Sequence, residues 1–391
     1  MGQSQYQKDF DFYWRTVNDN FAYFHKRKTD WEKVKVIYQP EVDTIKSRDG
    51  FVHLLEKANN ELYNGHVFLN TNTNSSNRLI PSGADLKVAV IDKQFVVNEV
   101  RTGYNSDLAG IRKGMRIIKY NGIPIRSAIE GLLPKSTKNI NDEMLEYAAN
   151  MLLAGTHDKS RVITAIVNGR EQDIMPDAVA NRSDQHTDLL LESQRLGGNI
   201  GYIKVNNSLG DTDLIKKFDD AVDGLIDSSG LILDLRETPG GGNTTVARAI
   251  MGRFVEKELA YQKHIYTDEE KQTGIKRTTL EIVSPRGKIY KKPMIVLVGY
   301  WTGSMGEGLA IGFDAMKRAK IAGTLMAGLL GEIYTFEMPE TKIPFSFPCV
   351  QLQHVNGLPR EDFKPWIYIQ DQKTAVEYVS ELLKNTKKRG K

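Results

Sequence analysis

Two nearly continuous apolar runs, Gly230-Leu231-Ile232-Leu233-Asp234-Leu235 and Met294-Ile295-Val296-Leu297-Val298-Gly299, constrain this chain more than any other feature. A strand with one wet face alternates apolar and polar residues. A strand apolar throughout is buried on both faces, as in a parallel sheet covered by helices. Each run leads through a small-residue turn into a helix-patterned segment: Pro239-Gly240-Gly241-Gly242 precedes Thr245 to Phe254, and Gly299 to Gly303 precedes Ser304 to Ala319. Gly201 to Val205 reads as a further strand and Asp211 to Ile226 as an amphipathic helix. From about residue 198 onward, strands therefore alternate with helices, which predicts an α/β layer. With both runs in one parallel sheet, both strand-to-helix turns open on the same edge, where such folds bind ligands.

Upstream the pattern changes. Phe10, Phe12, Tyr13, Val17, Phe21 and Phe24 recur at helical spacing, and Trp31, Val34, Ile37 and Tyr38 continue it. Asp49 is the expected N-cap of a helix carrying Phe51, Leu54, Leu55 and Leu62. That segment ends at the Asn64-Gly65 turn, and His66-Val67-Phe68-Leu69 reads as a strand. After a polar loop, Asn70 to Asn77, a second unit runs from about residue 85 to 177. It opens with paired strands, Leu86–Ile91 and Phe95–Val100, then a short helix at Ser106–Ile111 and a strand Met115–Tyr120 ending in Asn121-Gly122. Residues 124 to 155 are expected to be mostly helical, and Arg161–Val167 with Gln172–Met175 close the unit as a hairpin around Asn168-Gly169. The polar stretch Asp177 to Asp188 fits a linker.

The 391 residues suit two or three domains at roughly 150 residues each. Lys and Arg number 53 against 49 Asp and Glu, a net charge of +4. Five of the positive charges, Lys384, Lys387, Lys388, Arg389 and Lys391, crowd the C-terminus and leave an almost neutral body. A nucleic-acid binder carries a basic stripe within its folded domain, and the sequence shows none, so nucleic acid is not an expected partner. A single cysteine, Cys349, excludes an internal disulfide framework and a thiolate zinc cluster. The longest apolar stretches fall far short of the ~20 residues that a membrane-spanning helix needs. Met1-Gly2 followed directly by polar Gln3-Ser4-Gln5 reads as a start codon fused to a mature sequence.

Chemistry concentrates in Gly299-Tyr300-Trp301-Thr302-Gly303-Ser304-Met305-Gly306-Glu307-Gly308. A serine hydroxyl is a poor nucleophile unless exposed, aligned and set beside a base. At the first turn of a helix after a buried strand, free N–H groups face developing charge and glycines let a substrate backbone approach. The competing structural reading is a serine N-cap whose neighbouring glycines pack on the sheet. The Pro239–Gly242 turn is suited to present a second N–H to an oxyanion. Without Gly-Lys-Ser/Thr or a strand-flanked G-x-G-x-x-G, phosphate binding is the weaker use of its glycines. Of the seven histidines, His66 stands out because it follows a tight turn, and a neutral imidazole is the commonest general base near pH 7. A histidine satisfied at a strand start is the alternative.

These segments together resemble the C-terminal-processing (tail-specific) serine protease superfamily, and within it the tricorn-core-like branch. Leu231 to Gly242, L-I-L-D-L-R-E-T-P-G-G-G, is similar to that family's strand, D-L-R and glycine doublet. Gly303-Ser304-Met305-Gly306-Glu307 resembles its nucleophile segment. Leu62-Tyr63-Asn64-Gly65-His66-Val67 resembles the segment with the catalytic histidine, with Asn64 in place of the usual aspartate. Ser106 to Ile125 resembles the central helix, strand and turn of a PDZ domain. One branch pairs the serine with a lysine about twenty-five residues on, and Ile321 to Tyr334 contains no lysine. The other uses serine, histidine and a late glutamate, and Asn356-Gly357-Leu358-Pro359-Arg360-Glu361 resembles that last element, with Trp366 replacing a customary aspartate.

The resemblance implies an α/β fold: a ClpP/crotonase-like catalytic domain at 181–391, a PDZ-like β-rich domain with a helical insertion at 77–180, and a helical N-terminal region at 1–76. It implies a serine endopeptidase acting on proteins or peptides, with Ser304 as nucleophile, His66 as base and Glu361 as the acidic member. Glu307 and Glu332 are the fallbacks for that last role. The N–H of Met305 and one from Gly240 or Gly241 would form the oxyanion hole, and no metal or organic cofactor is required. The PDZ-like unit would capture an extended C-terminal tail by strand addition. A bacterial periplasmic or surface location goes with the family, a cytoplasmic one being the alternative. Two other functions fit the pattern: a catalytically silent peptide- or ligand-binding protein on this architecture, and a crotonase-type acyl-CoA enzyme, which also uses paired glycine turns.

Overall fold

The computed structural model describes residues 2–179 and 189–389. Much of the expected linker, the 180/181 boundary, His186 and the last two residues lie outside that range, as do the side chains of 386–389. The chain divides into two compact units, Met1–Gln185 with Glu332–Val350, and His186–Gly331 with Gln351–Lys391.

The first unit opens with three helices. Helix α1 (Gln5–Asn20) starts at Ser4, whose hydroxyl accepts from the N–H of Gln7 while the Gln7 side chain accepts from the N–H of Ser4. That reciprocal box satisfies two otherwise orphaned donors. Asp30 caps α2 (Trp31–Val42). Helix α3 (Arg48–Asn60) is capped by Ser47 rather than Asp49. Ser47 is the residue with extended backbone, as an N-cap requires, and Asp49 falls in the first turn, where its charge suits the helix dipole. The aromatic face of α1 packs on a later strand, Pro344–Gln353, where Tyr13 and Phe12 meet Phe345; on that strand's partner, Glu332–Glu337, Phe336 stacks on Phe345 and Phe347. Cys349 is buried on the strand Pro344–Gln353.

The expected strand at His66 shrinks to β1 (Phe68–Leu69), which pairs with Pro344–Gln353. His66 instead lies in the preceding turn, because the Asn64 side chain accepts from its N–H at 3.0 Å. An asparagine satisfying its own loop in this way competes with strand extension.

The rest of the unit is an antiparallel sheet in the order β2 (Leu86–Ile91), β3 (Gln94–Val100), β4 (Arg116–Tyr120), β6 (Ile163–Val167), β7 (Arg170–Ile174), with β5 (Ile123–Pro124) on β4. Short helices α4 (Asn105–Leu108) and α5 (Ile125–Ala128) join its strands, and α6 (Asp142–Ala154) covers one face. The stretch 124–155 is mostly helical, as expected, with an interruption from Leu133 to Asn141 that contains Pro134, which has no N–H to offer. Helix α6 also closes the free edge of β2. Asn150 accepts from the N–H of Val88 at 2.8 Å and donates to its carbonyl at 3.0 Å, and Glu146 accepts from the N–H of Val90 at 2.9 Å.

The second unit holds the sheet that the apolar runs predict. Its order is Ile367–Tyr368, β14 (Lys320–Gly323), β13 (Met294–Val298), β10 (Gly230–Asp234), β9 (Ile200–Val205), β8 (Leu191–Leu196), parallel except for β8. Leu231, Leu233 and Leu235 point into a core with α7 (Asp213–Gly224), α8 (Thr244–Gly252) and α10 (Met305–Ala315). Ile232, Ile295 and Leu297 face the other side, under α11 (Ala375–Arg389). Both faces are covered, so neither run can alternate. A hairpin of β11 (Leu259–Tyr266) and β12 (Arg277–Val283), with α9 (Thr267–Thr273) between them, completes the unit. Helix α10 ends earlier than expected, because Lys317 turns to φ +54° and the chain enters β14. Among the described residues no helix is long and apolar enough to cross a membrane.

Candidate active site

Strands β10 and β13 are parallel neighbours, Leu231 opposite Met294 and Asp234 opposite Leu297, so their C-terminal turns lie side by side. Side chains hold the strand ends. The Asp234 carboxylate accepts from Arg236 Nη2 at 2.6 Å, Arg236 Nε at 2.9 Å and the Tyr202 hydroxyl at 3.0 Å. Although burial opposes ionisation, the Arg236 guanidinium holds this carboxyl below its usual range. The D-L-R signature is thus a strand-end anchor rather than part of the reacting set. Beyond it, the hydroxyls of Thr238 and Thr302 both donate to the Leu235 carbonyl, at 2.8 and 2.9 Å. Thr238 N–H donates to Trp301 O, and Gly303 N–H to Thr238 O.

This lacing brings the two glycine turns together. Gly241 has φ +65°, and a Cβ built on it would lie 2.4 Å from Ser304 Cβ, 2.8 Å from its Oγ and 3.1 Å from Met305 N. Only glycine allows that approach. Ser304 itself adopts φ +52° and ψ −112° at the N-terminus of α10. Such a conformation costs a non-glycine residue of order 1–3 kcal/mol and persists only where its surroundings over-determine it. A sharp, strained strand-to-helix turn is the geometry of a serine nucleophile; Ser304 is half-buried there and also serves as the N-cap, its hydroxyl accepting from the Glu307 N–H. Met305 follows as the first helical residue, whose N–H has no acceptor within the helix.

The other two expected donors are already engaged: Gly240 N–H donates to Asn207 Oδ1, on the segment after β9, at 2.7 Å, and Gly241 N–H to Thr238 O of its own turn at 3.2 Å. Asn207, at φ +52°, had no signal in the sequence beyond its place in a polar segment after a strand.

Behind Ser304 lies a buried carboxylate. Glu307 accepts from the N–H groups of Ser304 at 2.8 Å and Gly328 at 2.9 Å. Burial pushes its pKa up to about 7, against the pull of the Arg360 guanidinium and the backbone donors. Glu361 sits half-buried on the turn Arg360–Asp362, directly after Arg360, which donates to the Ser304 carbonyl at 3.3 Å. Ser304, Met305, Gly240, Gly241, Glu307 and Glu361 therefore belong to one unit. A buried histidine of the same unit, His354, lies 3.3 Å from Asp314 through Nε2 and accepts from Asn356 N–H through Nδ1.

His66 and Glu332 belong to the first unit. His66 is buried in its asparagine-closed turn. Just before that turn, the Glu61 carboxylate fixes the chain by accepting from the Tyr38 hydroxyl and the N–H groups of Lys135 and Ser136, at 2.9 to 3.0 Å. No group of His, Cys, Asp or Glu able to hold a metal ion occurs among the described residues.

Residues 199–343, which include both glycine turns and Ser304, match the peptidase family S41 model. The chain carries a peptidase family S41 domain. Residues 3–59, within the helical N-terminal region, match the tricorn protease C1 domain. Mature CPAF, solved in complex with lactacystin, is similar in fold at a TM-score of 0.64 and 16% identity, covering 98% of each chain. The photosystem II D1 C-terminal processing protease matches at 0.58 and 16%, over 96% of this chain and 97% of its own. A lipoprotein from Streptococcus agalactiae matches at 0.52 and 12%, over 99% and 98%. The match of residues 199–343 to this family supports a serine-type peptidase, with proteins or peptides as the implied substrate class.

Proposed function

We propose that this S41 chain is a serine endopeptidase working through a Ser-His-Glu set. Ser304 Oγ attacks the scissile carbonyl while His66 takes its proton and then delivers it to the leaving amine. Glu361 fixes the imidazole tautomer and stabilises the imidazolium. Water then hydrolyses the acyl-enzyme. The oxyanion is received by the N–H of Met305 and by that of Gly240 or Gly241, which must first leave Asn207 or Thr238.

The observation that carries this reading is Ser304 held at φ +52° against Gly241, at the first turn of α10. The lysine-free stretch from Ile321 to Tyr334 supports histidine over lysine as the base, and the anchored turn around His66 supports that histidine. Loss of either group should remove nearly all turnover, because members of such a set act as a unit. Hydrolysis of a fluorogenic peptide library by the wild type, Ser304→Ala and His66→Ala tests this. A drop of at least about 10⁴-fold in kcat is expected for each variant, and a Ser304→Ala protein cleaving at the wild-type rate refutes it. Wild-type binding without cleavage would favour the silent binding protein instead.

Tail capture by the residue 77–180 unit is not part of this proposal. One edge of the sheet, β2, already has its Val88 N–H, Val88 C=O and Val90 N–H satisfied by Asn150 and Glu146, which argues against strand addition at that edge. A bacterial periplasmic or surface location accompanies the endopeptidase reading, and fractionation of the natural host checks it.

A further inference from the structure

The strained backbone of Ser304 is gripped on both sides by buried charged side chains. Its N–H donates to Glu307 Oε2 at 2.8 Å, and its C=O accepts from Arg360 Nη1 at 3.3 Å. The two charges face each other, Arg360 Nη2 lying 3.9 Å from Glu307 Oε2, with side chains 2% and 1% exposed. Arginine and glutamate are almost never buried this deeply unless paired. Both also reach the loop that follows β14. Glu307 Oε1 accepts from Gly328 N–H at 2.9 Å, and Arg360 Nη2 donates to Leu329 O at 2.9 Å and Gly331 O at 3.0 Å.

We propose that Glu307 and Arg360 form a buried charge clamp that fixes the backbone of Ser304, and that Arg360 is a positioning residue for the reaction at that serine. This rests on reading Ser304 as the nucleophile. Arg360 bonds three carbonyls on two chain segments because its two terminal nitrogens diverge in a rigid fork. A lysine ammonium is a point charge and cannot bond all three carbonyls at once. Neither side chain touches the reacting atoms, although the Glu307 backbone N–H donates to the Ser304 hydroxyl in a capping box. Their effect is to keep Ser304 Oγ where attack is in line, and Arg360, directly preceding Glu361, sets the start of the turn that carries that carboxylate. A purely structural pair would change stability and leave the chemical step alone.

The test uses the full chain with Arg360→Lys, which keeps the charge and removes the fork, and Glu307→Gln, which keeps the shape and removes the charge. Measured are kcat and KM on a peptide, the rate of fluorophosphonate labelling at Ser304, and the circular dichroism melt. R360K is expected to lower kcat and the labelling rate about 10²-fold, the loss that goes with an ångström of misplacement. KM should stay within about threefold, as for an interaction felt in the transition state alone. The double variant should be no slower than R360K, since both act through one network. R360K that labels and turns over at nearly the wild-type rate overturns the clamp. If R360K does not fold, E307Q decides by the same readouts. A wild type unlabelled at Ser304 overturns the nucleophile reading itself, and the clamp's catalytic role with it.

Discussion

Gly241→Ala isolates the close approach of the two glycine turns. A Cβ on Gly241 would lie 2.4 Å from Ser304 Cβ, just over an ångström inside the ~3.5 Å at which carbon atoms make their best contact. The neighbour is a serine held by its own backbone bonds, so relief comes from moving the Ser304 turn. A misplacement of about 1 Å at a reacting group costs about 10²-fold in rate. The substitution also carries a second cost, because an alanine at φ +65° is disfavoured by about 1–2 kcal/mol. Gly274→Ala separates the two effects: Gly274 has φ +74° and nothing within 4 Å of a built Cβ. Both variants should lose about 1–2 kcal/mol of stability in urea. G241A alone should also lose about 10²-fold in kcat/KM on a peptide substrate. Activity of G241A within about threefold of G274A would show that Ser304 does not depend on this contact, and the reasoning would fail.

The raised pKa of Glu307, about 7 against an ordinary 4.5, means that the folded state binds more protons than the unfolded state between those values. Stability contributed by the protonated carboxyl is complete below about pH 4.5 and is lost as pH rises to about 7, by roughly 3 kcal/mol. Urea denaturation of E307Q should lack that fall, and parallel pH profiles for the two proteins would contradict it. Asp234→Asn leaves the Arg236 guanidinium without its carboxylate partner and should cost about 3–5 kcal/mol. Chemical denaturation checks that figure, and a loss under about 1 kcal/mol would remove the anchor role. With the β2 edge closed by Asn150 and Glu146, a peptide and its C-terminally amidated twin should be cleaved with equal kcat/KM. A strong preference for the free acid would reinstate tail capture.

The parallel sheet was legible because complete burial leaves an unmistakable mark: Leu231, Leu233 and Leu235 face one core while Ile232 faces the other, so only Asp234, bonded to Arg236 and Tyr202, interrupts the run. Side-by-side glycine turns follow from that sheet. The strain at Ser304 was not legible, since no local propensity favours a serine at φ +52°. It is imposed by Glu307 and Arg360, and Arg360 comes from a distant polar segment where nothing marks an arginine as buried. Local hydrogen bonds decided the smaller differences. Ser47 won the cap from Asp49 by its backbone conformation, and the Asn64 side chain kept His66 out of a strand. Closure of the β2 edge was invisible because it depends on where α6 packs, which the helical pattern of 142–154 does not contain.

Mapping a fluorophosphonate adduct by mass spectrometry on the wild type, Ser304→Ala, His66→Ala and Glu361→Gln tests most directly whether Ser304 is an activated nucleophile. A single adduct on the peptide carrying Ser304 is expected, absent from S304A and formed far more slowly in H66A and E361Q. An unmodified Ser304, or an adduct on another residue that persists in S304A, would contradict the Ser304-centred mechanism.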